Sequence, residues 1–382
     1  MSAVRPPEGA RPLLQEGVRE AAPAASLGEI AVNAGASVAP LDALERRLVD
    51  GFQRGFPICA RPWARVAAQL GASEAEVIAA VARRLADGVV SRVGAVFRPN
   101  VIGASTLAAI AVPEGRLAEV ARIVSARDEV NHNYQREHAF NLWFVAAAAD
   151  AAQLDAALAA IEHESGLRVI RLPLVRDYWI DLGFDVHATG MHVPPVRRVA
   201  APVAPVALSE QDRRIVAALE DGLPAEPRPY AEVARRAGVS EAYLTVRLAD
   251  WLNRGVVSRF GLVVRHRPLG YAANAMCVWD VPDDRADALG AALAREDAVT
   301  LAYRRRRADG WRYNLYAMIH GRDRAAVSAR RDAIAAALGL DGCPHDVLFS
   351  LAAYKQRGAR YASRAVRAGA PPAREPQRAV PA

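Results

Sequence analysis

The strongest constraint on this chain is that it contains one unit twice. Leu41 aligns with Leu208, and the offset of 167 residues (208 − 41) holds without a gap through Gly103 and Gly270. Under that offset Arg61-Pro62-Trp63 falls on Arg228-Pro229-Tyr230, and Gly71-Ala72-Ser73-Glu74-Ala75 falls on Gly238-Val239-Ser240-Glu241-Ala242. Gly88-Val89-Val90-Ser91-Arg92 recurs unchanged as Gly255-Val256-Val257-Ser258-Arg259. A unit that occurs twice folds twice, and its copies can pair as separate subunits would, giving a pseudo-dimer from one chain. A Pro/Val/Arg stretch around Pro194 to Pro205 has linker composition. The first forty residues and those after Gly358 have tail composition and are expected to be disordered.

Each copy opens with helical spacing. Leu44, Leu48 and Phe52 share a face in the first copy, as do Val77, Val81 and Leu85; Leu244, Leu248 and Leu252 repeat the pattern in the second. Ser73 followed by Glu76 predicts a capping-box start, and Gly88 a left-handed stop. Val89 to Phe97 then reads as a strand with a wing, which completes a winged helix-turn-helix. Strand and helix patterns follow in alternation: strand Thr106 to Val112, helix Gly115 to Ser125, strands Glu129 to Arg136 and Phe140 to Ala147, helix Ala151 to Ser165, strand Leu167 to Arg176. That β-α-β-β-α-β order is ferredoxin-like, and it recurs from Ala273 to about Tyr354. The predicted fold is α+β, a tandem duplication of winged helix plus ferredoxin-like domain. The expected boundaries are 1–40 tail, 41–100 first winged helix, 101–183 first ferredoxin-like domain, 184–207 linker, 208–267 second winged helix, 268–358 second ferredoxin-like domain and 359–382 tail.

With 52% hydrophobic and 24% charged residues over 382 positions, the chain can build compact cores. No apolar run of membrane-spanning length occurs, and the Ala/Pro-rich start lacks the apolar core of a signal peptide. Cys59, Cys277 and Cys343 lie far apart without metal spacing, which argues against disulfides or structural zinc and fits a reducing cytoplasm. A net charge of +7 favours an acidic partner, either nucleic acid or a small molecule rich in carboxylates.

Asn131-His132-Asn133-Tyr134-Gln135-Arg136-Glu137-His138 is the most unusual stretch. As a strand it places His132, Tyr134, Arg136 and, if the strand continues, His138 on one face. A solvated sheet face is the plainer reading. In the second copy Tyr303 and Arg305 match Tyr134 and Arg136, while Leu301 replaces His132, so the halves are unequal. Arg304 and Arg305 could anchor carboxylates through their planar forks, or belong to a charged, solvated hairpin. Trp143, Trp311 and Tyr316 could stack on a flat ligand or fill the core. His132 and His138 are not at helical metal-ligand spacing, although either could ligate the iron of a tetrapyrrole. No phosphate loop, zinc-protease motif or nucleophile elbow is present.

Three functions fit these residues: an enzyme acting on a small molecule rich in carboxylates, a DNA-binding regulator with an effector domain, and a tetrapyrrole-binding protein without turnover. Against the regulator, Glu74, Glu76, Ala79 and Ala80 on the expected outer face of the first reading helix suit neither phosphates nor base edges. Tyr243, Thr245 and Arg247 in the second copy are less clearly unsuitable.

From Leu41 to Tyr354 the winged helix and ferredoxin-like domain resemble the Lrp/AsnC regulators. More specifically, His132-Asn133-Tyr134 with Arg136, then Asn141-Leu142-Trp143-Phe144, resembles the NirD-type subunit of the siroheme decarboxylases. Tyr303-Arg304-Arg305, Trp311, Tyr313-Asn314-Leu315-Tyr316 and Met318-Ile319-His320-Gly321 resemble the NirL-type subunit, as in a NirD–NirL fusion. The resemblance implies conversion of siroheme to 12,18-didecarboxysiroheme by loss of two acetate carboxyls, on the route to heme d1. It implies no cofactor, since siroheme is the substrate and carries its own iron, no metal site, and NirG- and NirH-type partner subunits. It places catalysis on His132, Tyr134 and Arg136, and substrate binding on His138, Trp143, Tyr303, Arg304, Arg305, Trp311 and Tyr316. Many NirL-type sequences carry His where this chain has Leu301, which puts the acid chemistry on the first copy.

Overall fold

A computed structural model describes residues 40–180, 183, 201–265, 270–362 and 366. In the first copy α1 (Ala43–Gly51), α2 (Pro62–Leu70) and α3 (Glu74–Ala86) lead into β1 (Val90–Phe97). The ferredoxin-like part follows as β2 (Ala104–Ile110), α4 (Leu117–Ala126), β3 (Val130–Arg136), β4 (Leu142–Ala148), α5 (Ala151–Ser165) and β5 (Ile170–Ile180). The second copy repeats the order with α6 (Glu210–Leu219), α7 (Pro229–Ala237), α8 (Glu241–Asn253) and β6 (Val257–Val264). It continues with β7 (Ala273–Trp279), α9 (Asp283–Leu293), β8 (Val299–Arg305), β9 (Leu315–Gly321), α10 (Arg324–Leu338) and β10 (His345–Gln356).

The local signals act as their chemistry predicts. Ser73 accepts from the Glu76 amide while Glu76 reaches back to the Ser73 amide, a reciprocal cap on α3. Gly88 takes φ +76°, a conformation that costs a residue with a Cβ, and so releases the chain into β1.

The wing departs from expectation. β1 forms no hairpin within its own copy but pairs antiparallel with β6, Gly94 opposite Gly261. Each winged helix thus takes its second wing strand from the other copy, and the two helical modules share one apolar core containing Trp63, Tyr230, Trp251 and Phe260. Gly261 lies against the end of α1, where an added Cβ would sit 2.5 Å from the carbonyl oxygens of Phe52 and Gln53. Gly261→Ala is therefore expected to destabilise the protein by about 1–3 kcal/mol. Gly94→Ala, whose Cβ would meet nothing closer than 3.4 Å, should cost less. Urea denaturation of the two variants checks the order.

The two ferredoxin-like sheets close into one barrel in the order β10-β3-β4-β2-β5-β8-β9-β7. The halves meet at two seams, β10 with β3 and β5 with β8. Helices cover the outside over separate cores, and the interior holds Trp143, Trp311, Tyr303, Tyr316, Met276 and Met318 among others. This is the pseudo-dimer expected of a duplicated unit.

Residues 1–39, most of the expected linker and most of the C-terminal tail lie outside the described residues. The tail boundary at 359 is corrected. Tyr361 and Ala362 are buried, and both backbone amides donate to Glu220. The reading of α3 also needs correction, because Ala80 is fully buried rather than on the outer face. On α8, Arg247 is held by Asp212 and Asp250, which leaves Tyr243 and Val246 as exposed apolar side chains, a poor surface for phosphates. Among the described residues no helix is long and apolar enough to cross a membrane.

Candidate functional site

β3 delivers the expected row of side chains. Asn133 points out to α4, where its amide donates to the Ala121 carbonyl and the Ser125 hydroxyl. His132, Tyr134 and Arg136 therefore face the barrel interior, with Tyr134 opposite Trp143 and His132 opposite Val145 on β4. The Tyr134 hydroxyl lies 3.3 Å from His132 Nδ1, with the rings stacked at 5.9 Å. Where Tyr134 donates, the imidazole proton sits on Nε2. Arg136 is buried 5.7 Å from the Tyr134 ring and donates to the Leu348 carbonyl across the seam.

The second half repeats this arrangement with one element missing. Tyr303 and Arg305 face the interior from β8, the guanidinium 4.6 Å from the Tyr303 ring and donating to the Leu172 carbonyl. Burial pushes the Arg305 pKa down from its ordinary value. Leu301 occupies the place of His132. His320, quoted above within the NirL-type motif but given no role there, is engaged at both ring nitrogens. Asn274 lies 2.9 Å from Nε2 and Thr300 2.9 Å from Nδ1. The sequence signal was available, because His320 lies on β9 in phase with Tyr316 and Met318.

Four of the residues expected to contact substrate are engaged within the protein itself. Arg304 projects from the opposite face of β8 to Tyr303 and Arg305, and pairs with Asp283 and Asp287 of α9. Asp283 also binds Arg307, so two of the four arginines of the basic run are neutralised locally. Trp143, Trp311 and Tyr316 are buried at 1%, 2% and 0% exposure and pack on one another inside the barrel. Trp311 lies edge-on to Trp143 at 4.8 Å, and its indole N–H donates to the Tyr316 hydroxyl at 2.7 Å. Burial also raises the Tyr316 phenol pKa.

His138 leaves the row because β3 ends at Arg136. Its Nδ1 accepts from the Phe140 amide, Nε2 lies 3.3 Å from Asp346, and its ring edges onto Trp311 at 5.2 Å. Nδ1 is thus committed within the turn and Nε2 across to Asp346 on β10. The structure thus brings together His132, Tyr134 and Arg136 on one half, and Tyr303 and Arg305 on the other. Among the described residues no three His, Cys, Asp or Glu side chains gather as a metal site would require.

Comparison with known proteins places these rows in context. The AsnC-like ligand binding domain family matches residues 102–178 and 268–355, and the siroheme decarboxylase NirDL-like HTH domain family matches 45–90 and 212–257. The siroheme decarboxylase NirDL subunit of Paracoccus denitrificans is 43% identical, over 84% of this chain and 98% of that relative. The siroheme decarboxylase of Hydrogenobacter thermophilus is 31% identical, over 83% of this chain and 94% of that one. A crystal structure of the siroheme decarboxylase NirDL in complex with an iron-uroporphyrin III analogue superposes with a TM-score of 0.60 at 26% identity, covering 85% of this chain and 97% of that one.

Proposed function

The chain belongs to the siroheme decarboxylases of the NirDL type, and on that premise we propose that its reaction is carried by the His132 row at the seam between the two halves. The protein is a siroheme decarboxylase. The finer reading is a carbon–carbon lyase that removes two acetate carboxyls to give 12,18-didecarboxysiroheme for heme d1 formation, acting in the cytoplasm with NirG- and NirH-type subunits as partners.

The observation that carries this reading is the stacked His132–Tyr134 pair beside buried Arg136. Loss of carbon dioxide from an acetate arm leaves an electron pair on the methylene carbon. The conjugated macrocycle of the substrate accepts that pair, so no further cofactor is needed. One proton must then reach the carbon to make a methyl group, and the step is redox-neutral. His132, as the imidazolium, supplies the proton from Nε2 and is left neutral with its Nδ1–H against the Tyr134 oxygen, which fixes the ring. Arg136, buried and positively charged, holds a carboxylate that stays on the ring, since a charge-assisted bond gains strength where water is excluded. Bound in this way, the pigment presents its reacting arm to the imidazole at close range.

The test is anaerobic incubation of the purified chain with siroheme, followed by mass analysis of the pigment. The expected product has lost two molecules of carbon dioxide. Unchanged siroheme after prolonged incubation with the pure chain and its partner subunits would overturn the reading.

A further inference from the structure

The two seams are built alike position by position. At the first, Ser350 pairs with Arg136, Ala353 with Tyr134 and Gln356 with His132. At the second, Leu174 pairs with Arg305, Asp177 with Tyr303 and Ile180 with Leu301, with register shifts at the same places. Arg136 donates to Leu348, and Arg305 to the corresponding Leu172. This correspondence makes the differences informative: His132 faces Leu301, Gln356 faces Ile180, and Ala353 faces Asp177.

Asp177 lies on the interior side, because its neighbours Arg176 and Tyr178 both reach outward to Asp287 of α9. Its carboxylate accepts from Arg98 Nε at 2.7 Å, an ion pair that is largely buried. Arg98 follows β1, and the repeat offset places Arg265 in the same position after β6. The backbones agree, since the Arg98 amide donates to Val256 and the Arg265 amide to the equivalent Val89. The side chains agree as well. Arg98 Nη1 passes 3.9 Å from where a Cβ on Gly255 would sit and donates to the Ala201 carbonyl, while Arg265 Nη1 donates to the carbonyl of the equivalent Gly88.

They part at Nε. In Arg98 that atom binds Asp177, whereas in Arg265 it is buried with no hydrogen-bond partner. Among the described residues Arg265 forms no ion pair, and the place of its carboxylate is held by the methyl of Ala353. A buried guanidinium N–H without an acceptor is costly, and a carboxylate brought by a ligand would relieve that cost.

We infer that Arg265 binds a substrate carboxylate at the His132 site, and that Asp177 occupies the equivalent place at the Leu301 site as a built-in substitute for that carboxylate. On this inference the first site takes an acid-rich tetrapyrrole, and the second is filled by its own side chains. Leu301 and Ile180 remove the imidazole and amide there, and Asp177 neutralises Arg98; Arg305 Nε is also buried without a hydrogen-bond partner, so the one-site reading rests on the Arg98–Asp177 pair. The chain accordingly binds one siroheme, with the second half serving as scaffold, and Arg305 is reassigned from a substrate anchor to a structural counterpart of Arg136.

This inference rests on the siroheme reading above, and its test separates the two. Spectroscopic titration with siroheme should saturate at one equivalent per chain. Arg265→Met should raise KM about tenfold to a hundredfold with kcat little changed, since it removes a charged contact remote from the reacting carbon. Ala353→Asp, which moves the substitute carboxylate to the open site, should pair with Arg265 and weaken siroheme binding by a similar factor. Asp177→Asn should leave KM within about twofold, because that site takes no substrate. Melting temperatures of the variants separate misfolding from loss of binding, and Arg265→Lys, which keeps the charge, should recover part of the affinity. If wild-type chain yields no decarboxylated product, the functional reading fails. If it turns over siroheme but takes up two equivalents, or if Arg265→Met leaves KM unchanged in a folded protein, only this inference fails.

Discussion

His132→Ala is expected to slow siroheme decarboxylation by about 10²–10⁴-fold, the range that a positioned general acid contributes. His132 is half-buried on β3 beside Tyr134, so the substitution deletes a proton donor next to a side chain that stays in place. Arg136 stays in place through its bond to Leu348, and the carboxylates of the pigment keep their anchor. Siroheme should therefore still bind, and the loss should fall on the single-turnover rate. His132→Gln refines the test. A glutamine can take a hydrogen bond from Tyr134 but has no proton to give near neutral pH, so it should be as slow as alanine. Recovery of the rate in the glutamine variant would make His132 a positioning residue only. A rate like wild type in both variants would remove it from the reaction.

The parts of this arrangement legible in the sequence are those set by local spacing. The capping box at Ser73 and the alternation along β3 depend on residues a few positions apart, and both act in the structure as their chemistry predicts. The repeat offset carried the duplicated architecture for the same reason, since matched text needs no knowledge of contacts. What was not legible comes from strands far apart in sequence. The pairing of β1 with β6 replaces a local wing by one borrowed from the other copy, and no spacing rule distinguishes the two. Two register shifts in β5 break the alternation that the sequence reading relied on. Leu174 and Asp177 both face inward although they are three residues apart, an odd spacing that regular alternation would place on opposite faces. Arg304 was misplaced for a different reason, because its partners come from α9, whose placement against β8 only the folded chain defines.

Trp311→Ala decides whether the aromatic cluster is wall or ligand platform. The indole sits in the β8–β9 connection of the second half, yet it packs on His138, Phe140 and Trp143 of the first. It also donates to the Tyr316 hydroxyl and lies edge-on to Tyr313. Truncating a side chain of this size inside a closed barrel leaves a cavity between the halves. The expected loss is about 3–5 kcal/mol in urea denaturation, with the transition broadening as the halves uncouple. Trp311→Phe keeps much of the apolar volume but gives up the hydrogen bond, so it should cost less while leaving the KM for siroheme unchanged. A platform would behave in the opposite way, because a ring that swings out to stack on the macrocycle contributes little to the unliganded fold. A loss below about 1 kcal/mol for alanine, together with a raised KM for phenylalanine, would assign Trp311 to the substrate and place the pigment deeper in the barrel than the His132 row alone implies.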